Sequence, residues 1–218
     1  MLTGVGSSYI QQPLYGLPTA RTDEFIANGL SAQYATGLDR LMVVSMGTGT
    51  SFVKVEHEKI RHVGGIGIGG GTLMGLSRLL LHTQDILWVS ELAGKGNLQN
   101  VDLQIQDICQ TSLPGLPLDA TASLLGKLDN NVSPEDLALG LMHMVLQSIG
   151  QAAVLSALEM RIRDFVLIGN LTQLPRPVFD TIAQMYDVRF IIPANAEYQT
   201  AIGAALAYIK KIETTPVR

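Results

Sequence analysis

Apolar residues along this chain recur with two different spacings, and together these predict an α/β domain. Short unbroken apolar runs are typical of buried strands, whereas apolar residues three and four positions apart are typical of helices. The strands predicted in this way are 41–46, 51–56, 60–63, 164–170 and 188–193. The predicted helices are 22–34, 72–82, 85–93, 134–160, 177–186 and 197–210. A three-strand β-meander followed by helices and a β-α-β-α order predicts a mixed sheet.

The predicted helix 134–160 is the longest apolar element, and Ser133 followed by Pro134 is a strong start signal for it. Its segment 137–158 has no charged residue and is long enough to span a bilayer. However, His143, Gln147 and Gln151 recur every four residues and would line one side of the helix. The pattern therefore favours a helix buried in a soluble core or in a homodimer interface, with no membrane contact, and we expect a homodimer through it.

The other segments carry weaker signals. Residues 1–20 are predicted to be irregular, 103–109 are ambiguous between strand and short helix, and 214–218 are expected to be a frayed tail. Residues 111–133 are rich in Pro, Gly, Asp and Asn and predict an exposed excursion. Inside it, the small polar run 119–127 either lines a cleft or is loop filler.

Composition excludes several classes of function. The chain has 218 residues, of which 47% are hydrophobic, so it can bury a sizeable core. Its net charge is −4 with no basic run, which argues against nucleic acid as a partner. Cys109 is the single cysteine, which excludes an internal disulfide and a cysteine-based zinc site. The sequence thus fits a reducing, cytoplasmic location, and its start lacks signal-peptide features.

Two glycine-rich turns carry the main chemical signal. Residues 64–71 hold six of the 22 glycines and lead into a predicted helix. Glycine is unfavourable inside helices and strands, so we expect a loop whose free N–H groups and helix dipole bind an anion. The turn 47–51 lies between two predicted strands and offers backbone N–H groups and three hydroxyls. Both turns suit the oxygens of a phosphate.

Competing motifs are weak. Gly65-x-Gly67-x-x-Gly70 matches the dinucleotide fingerprint, but the short strand before it contains Arg61 and His62. The acidic residue expected at the end of the next strand is also missing, which disfavours NAD. The four histidines share no ligand spacing, so no metal site is predicted, and His143 is expected to be a satisfied interior group.

The order of several motifs resembles that of the type II pantothenate kinases, members of the actin-like, sugar-kinase ATPase superfamily. The resemblance covers essentially the whole chain and is most specific at the two glycine turns. The matching segments are 2–4, 23–25, 47–51, 63–72, 118–123, 166–169 and 201–204.

This resemblance implies an actin-like ATPase (ribonuclease H-like) domain that transfers the γ-phosphate of ATP to the terminal hydroxyl of pantothenate, the first step toward coenzyme A. It implies ATP and Mg²⁺ as cofactors and Glu24 as the catalytic base. The ATP-binding residues it implies are Gly47, Thr48, Gly49, Thr50, Ser51, Gly69, Gly70, Gly71 and Thr72. The substrate-binding residues it implies are Arg61, His62, Gly64 and Gly65.

The chain departs from the family pattern in two places. The family's first phosphate loop, Asp-x-Gly-Gly-Thr, is not found, so we expect residues 1–218 to be a single C-terminal-type lobe, nearly inactive without its N-terminal lobe. His62 stands where the family has arginine, and Arg61 is expected on the other face of the strand. Two alternatives stay open: a non-catalytic nucleotide-binding or regulatory module of the same fold, and an ATP-driven activator, which would need a cysteine cluster.

Overall fold

A computed structural model describes residues 1–11, 13–111 and 114–210, so the predicted tail 214–218 lies outside the described residues. The strands are β1 (Arg40–Met46), β2 (Thr50–Glu56), β3 (Lys59–Ile66), β4 (Leu103–Gln104), β5 (Thr121–Ser123), β6 (Asp164–Ile168) and β7 (Arg189–Ile191). The helices are α1 (Glu24–Thr36), α2 (Gly70–Leu80), α3 (Ile86–Ala93), α4 (Ile105–Ile108), α5 (Pro134–Ala157), α6 (Val178–Tyr186) and α7 (Gln199–Ile209).

Five strands form a mixed sheet in the order β3-β2-β1-β6-β7. The meander β1-β2-β3 is antiparallel, whereas β6 and β7 run parallel to β1. The predicted α/β class and mixed sheet are therefore confirmed. Because β1, β3, β6 and β7 all run in one direction, the turns that follow them lie at the same edge of the sheet, here called the carboxyl edge.

Alternating side chains of β1 divide the core into two layers. Met42 and Val44 face the larger layer, where α2, α3, α5 and α6 cover the sheet. Leu41 and Val43 face the smaller layer, which α1 and α7 cover. This alternation is what the period of two in a strand requires when both faces are buried.

Helix α5 is mostly buried in the core of the fold. By length and composition it is the one helix within the described residues that could cross a membrane, but 61% of its most apolar stretch is buried in the fold. Its buried side chains pack on α2, α3, α6 and the sheet of its own chain. The helix ends at Ala157, and Leu155 and Leu158 are exposed at that end. The predicted homodimer through this helix stays a prediction.

The largest boundary difference is at β3. The glycine cluster was expected to be loop from residue 64 onwards, but the strand continues through Gly64 and Gly65 to Ile66. A register shift opposite Phe52 and Val53 lets it do so, because Gly64, with φ at 156°, follows the bulged Val63. Glycine is therefore used here to carry a strand past an irregularity.

The ambiguous segment 103–109 contains both element types, since the two-residue strand β4 leads directly into the single turn α4. Within the predicted excursion 111–133, β5 pairs with β4. The described residues of this excursion, 111 and 114–133, include none that is fully buried.

Candidate nucleotide and substrate site

The two predicted glycine turns lie against each other at the carboxyl edge. The N–H groups of Gly70 and Gly71 donate to the carbonyl oxygens of Gly47 and Thr48, at 2.8 and 2.9 Å. The hydroxyl of Thr50 donates to the carbonyl oxygen of Ile68 at 2.8 Å. The turn after β1 and the start of α2 therefore form one backbone-bonded unit.

These bonds correct one expectation. The start of α2 was predicted to offer free N–H groups to an anion, but those of Gly70 and Gly71 already have carbonyl partners. The N–H of Gly69 also points to the hydroxyl of Thr72, at 3.3 Å. The first turn of this helix is thus capped by its own chain, which satisfies donors that a helix start leaves open.

Several glycines are needed because the two turns approach so closely. A Cβ on Gly69 would lie 2.6 Å from the carbonyl oxygen of Thr48, and one on Gly71 would lie 2.8 Å from the Cγ2 of Thr48. A Cβ on Gly65 would lie 2.7 Å from the carbonyl oxygen of Thr50. At these three positions the absence of a side chain serves packing within the protein.

Gly47 and Gly67 differ from the other glycines of the turns. A Cβ on Gly67 would meet no described atom within 4 Å, and one on Gly47 would meet only the carbonyl oxygen of Gly49, at 3.8 Å. Neither has a positive φ. Nothing inside the described chain therefore requires glycine there, and their bare backbone leaves room for a ligand. The exposed Thr48 lies between them in this unit.

Gly169, which follows β6, belongs to the same edge but was not among the predicted site residues. Its φ is 98°, and a Cβ there would lie 2.5 Å from the carbonyl oxygen of Met46, the last residue of β1. Its N–H donates to the carbonyl oxygen of Ala196, at 2.9 Å. The sequence signal was present, because a buried apolar run ends at this glycine.

Glu24 begins α1, whose cap is Asp23: the Asp23 carboxylate accepts the N–H groups of Phe25 and Ile26. Along this helix Phe25 contacts His62, and Gly29 faces Ile60, so α1 runs antiparallel to β3. The beginning of α1 therefore points toward the carboxyl edge.

The distance along the strands between the start of α1 and the glycine turns follows from the strand register. His62 pairs with Val53, whereas Ile66, at the end of β3, pairs with Thr50. Three residues of strand span about 10 Å. Helical side chains also tilt toward the helix start. Glu24 is half-buried at the start of α1, and the register places the level of His62 that far from the glycine turns.

One oxygen of Glu24 is fixed by the N-terminal segment. Its Oε2 accepts the N–H of Val5 at 3.0 Å, just after Gly4, whose φ is 91°. Within the described residues Oε1 has no hydrogen-bond partner. The carboxylate is therefore oriented by one backbone donor and keeps one oxygen available.

The predicted substrate residues Arg61 and His62 lie on opposite faces of β3. His62 pairs with Val53, whose side chain belongs to the core layer under α1, and it stacks on Phe25. Arg61 pairs with Lys54 on the other face. The bulge comes after both residues and does not bring them together. The structure thus groups His62, and not Arg61, with Glu24.

A second polar cluster joins β5 to α5. Asp102 is fully buried, and its carboxylate accepts the hydroxyl of Thr121 at 2.9 Å and the N–H of Leu125 at 2.8 Å. His143 Nε2 lies 3.2 Å from Thr121 Oγ1. Because the one hydroxyl proton of Thr121 goes to Asp102, its oxygen is an acceptor for an Nε2–H of His143. Burial lowers the pKa of His143, and the charge of Asp102 partly opposes that shift. His143 is a satisfied interior group, as expected.

An open groove of about 1500 Å³ lies at the opposite edge of the sheet, between α1, the β2–β3 turn and the end of α7. Leu38, His57 and Lys210 are among the residues that line it. It contains neither Glu24 nor any residue of the glycine turns, so it is separate from the candidate site.

Comparison with known proteins decides the family. The model of the family described as Fumble matches residues 30–190, which is most of the chain and includes both glycine turns. The chain belongs to the Fumble family, the family of the type II pantothenate kinases. The match begins after Glu24 and Phe25, so the position of these two residues in a site depends on the structure alone.

The relatives of this Fumble-family chain are named for different activities. It is 35% identical to a mouse 4'-phosphopantetheine phosphatase over 79% of this chain and 22% of that protein. It is 30% identical to rice pantothenate kinase 2 over 78% of this chain and 20% of that protein. It is 29% identical to a Staphylococcus epidermidis type II pantothenate kinase over 77% of this chain and 66% of that protein. The chain thus spans less than two thirds of each.

Solved structures support the fold. Component A of the Acidaminococcus fermentans (R)-2-hydroxyglutaryl-CoA dehydratase matches with a TM-score of 0.62 and 18% identity, over 96% of this chain and 74% of that one. The activator of the Clostridium difficile 2-hydroxyisocaproyl-CoA dehydratase, solved with bound ADPNP, matches with a TM-score of 0.62 and 14% identity, over 99% of this chain and 77% of that one. At these identities the likeness shows the actin-like ATPase fold of this Fumble-family chain and no more.

Proposed function

We propose that this chain takes part in ATP-dependent phosphorylation of pantothenate, as a fragment or subunit of a type II pantothenate kinase-like enzyme of the cytoplasm. The observation that carries the proposal is the arrangement at the carboxyl edge. Two glycine turns form one unit with bare backbone at Gly47 and Gly67, and Glu24 lies in the first turn of α1, whose beginning points toward the same edge. The family supports a kinase-like enzyme, and the specific substrate is part of the proposal.

The proposed nucleotide site divides the predicted ATP-binding residues by role. Gly49, Thr50, Ser51, Gly69, Gly70, Gly71 and Thr72 lie in the unit that holds the two turns together. Gly47, Thr48 and the additional Gly67 form the part at which no side chain keeps the phosphates from the backbone, although the N–H of Gly47 itself donates to the carbonyl oxygen of Gly49 at 2.9 Å. Pre-positioned groups of this kind account for most of catalysis in phosphoryl transfer, because the protein contributes mainly position and charge.

Glu24 is proposed as the general base. Its Oε2 is held by the N–H of Val5, and its Oε1 can accept the proton of the attacking hydroxyl. The hydroxyl oxygen then forms the new bond to the γ-phosphorus, and ADP leaves. The gap of about 10 Å along the strand between His62 and the turns leaves space for the reacting groups.

The Mg²⁺ of this proposal belongs to the substrate, which is the magnesium complex of ATP. Mg²⁺ in such sites is bound mainly by phosphate oxygens and water. Within the described residues no group of three or more His, Cys, Asp or Glu side chains could hold a metal ion. The proposal therefore assigns none of the described residues to the metal.

Replacement of Glu24 by Gln, in a protein that joins this chain to the N-terminal lobe of the family pattern, tests the proposal. The variant keeps an acceptor for the N–H of Val5 but cannot take a proton, so kcat for transfer to pantothenate should fall at least about 100-fold. The Kd of a non-hydrolysable ATP analogue, measured by calorimetry, should stay within about twofold of the wild-type value, since Glu24 contacts no glycine turn. Glu58→Gln, at an exposed position in the β2–β3 turn, is the matched control.

Wild-type turnover by Glu24→Gln would remove Glu24 from the mechanism. A wild-type protein that includes the N-terminal lobe and binds the analogue but transfers no phosphate would favour the alternative of a non-catalytic nucleotide-binding or regulatory module. His62, in place of the arginine expected from the family pattern, is the observation that keeps this alternative in view.

A further inference from the structure

The rings of Phe25 and His62 form a stacked pair. Their centroids are 4.0 Å apart and their planes are inclined by 13°. Phe25 follows Glu24 directly in the first turn of α1, whereas His62 lies on β3. The stack therefore fixes an imidazole against the first turn of α1, which also carries the residue proposed as the base.

Phe25 is the anchored partner of this pair. Its side chain packs on the smaller core layer, whereas His62 is exposed. The next contact along the two elements holds them close, because a Cβ on Gly29 would lie only 2.5 Å from the Cγ2 of Ile60. The spacing between α1 and β3 is thus set by the backbone at Gly29, and the two rings meet face to face.

The stack covers one face of His62 and leaves its edge free. Within the described residues, neither ring nitrogen of His62 has a hydrogen-bond partner. An exposed side chain of this kind otherwise exchanges between staggered rotamers. Contact with a fixed ring selects one of them, which leaves two nitrogen atoms oriented and unused near the start of α1.

We propose that Phe25 is a positioning residue, which holds His62 so that its free ring edge hydrogen-bonds an oxygen of the acceptor alcohol beside Glu24. This inference rests on the proposed function. It assigns His62 to the acceptor and not to the nucleotide, because the strand register separates His62 from the glycine turns by about 10 Å. It also gives Phe25 a purpose beyond filling the core.

A double-mutant cycle on the full chain joined to the N-terminal lobe tests this. Phe25→Leu and His62→Ala should each raise KM for the acceptor alcohol about fivefold and leave KM for ATP within about twofold. The double variant should resemble the single variants, since two residues that act through one contact are not additive. Phe25→Tyr, which keeps the stack, should restore the wild-type KM. Phe25→Met, with similar bulk but no ring, replaces Phe25→Leu if that variant does not fold.

A second readout checks the contact itself. In proton NMR the ring protons of His62 should be shifted upfield by the Phe25 ring current, and the shift should disappear in Phe25→Leu. A shift that survives the substitution overturns the inference, as do additive effects on KM. An active wild-type chain whose Phe25→Leu variant keeps its KM for the acceptor overturns this inference alone. A wild-type protein that includes the N-terminal lobe and phosphorylates no alcohol overturns the proposed function and this inference with it.

Discussion

The glycine turns and the cluster around Asp102 both join segments that are distant in the sequence, but they do so with different groups. At the turns, backbone N–H groups bond backbone carbonyls, and side chains are absent where the chains cross. Around Asp102, a buried carboxylate gathers a hydroxyl, an N–H and an imidazole. The first region depends on glycines, which have no side chain where the turns cross. The second depends on one specific charged group.

The two regions should therefore be sensitive to different changes. The backbone unit should be insensitive to pH but intolerant of added atoms. The buried cluster should tolerate changes of volume better than changes of charge, because an ionised group without partners is costly in the interior. The predictions below follow from these expectations.

The largest effect should come from a single added methyl group. Gly69→Ala would place a Cβ 2.6 Å from the carbonyl oxygen of Thr48 and 2.9 Å from that of Gly47. Its φ of −178° suits any residue, so the cost arises from crowding, and we expect a loss of about 3 kcal/mol in the free energy of unfolding. Urea denaturation gives the value.

The matched control for that variant is Gly67→Ala, two residues away, where a Cβ meets open space. Its free energy of unfolding should stay within about 0.5 kcal/mol of the wild-type value. Equal losses at Gly67 and Gly69 would contradict the division of these glycines into two groups.

A smaller effect should appear at the polar cluster when pH is lowered. Because burial lowers the pKa of His143, the unfolded chain takes up its proton first as pH falls through about 6.5. The contribution of His143 to the free energy of unfolding should therefore be fully present above that pH. Below it, the free energy of unfolding should decrease, with a slope of at most about 1.4 kcal/mol per pH unit, until the folded-state pKa is passed. Urea denaturation at several pH values measures the slope.

The variant His143→Gln should lose this part of the pH dependence, because glutamine does not titrate in that range. His57→Gln, whose imidazole is 77% exposed, should keep it. Identical curves for wild type and His143→Gln would mean that the imidazole has the same pKa in the folded and unfolded chains.

The same comparison explains which features could be predicted from the sequence. The turns at 47–51 and 67–71 were visible because composition alone singles out glycine, and the apolar runs around them gave the strands. The extension of β3 to Ile66 was missed, because the bulge at Val63 arises from pairing with β2. Local composition does not report such tertiary pairing.

The side-chain contacts could not be predicted, because nothing local connects their partners. Asp102 lies in the bend before β4, Thr121 in β5 and His143 in α5, and the sequence offers no spacing that relates them. The stack of Phe25 on His62 is of the same kind: helix periodicity places Phe25 toward the core, but only the packing of α1 on β3 selects its neighbour. The bare backbone of Gly67 likewise became distinct from that of Gly69 only once the surrounding atoms were known.

The central claim is that the unit of the two glycine turns holds the phosphates of a nucleotide at Gly47 and Gly67. Calorimetric titration of a non-hydrolysable ATP analogue into wild type and Gly67→Val tests it most directly, with denaturation as the check that the variant is folded. The account predicts binding to the wild-type chain and at least tenfold weaker binding to the folded variant, a change of about 1.4 kcal/mol. Equal affinity of the two proteins for the analogue would contradict it.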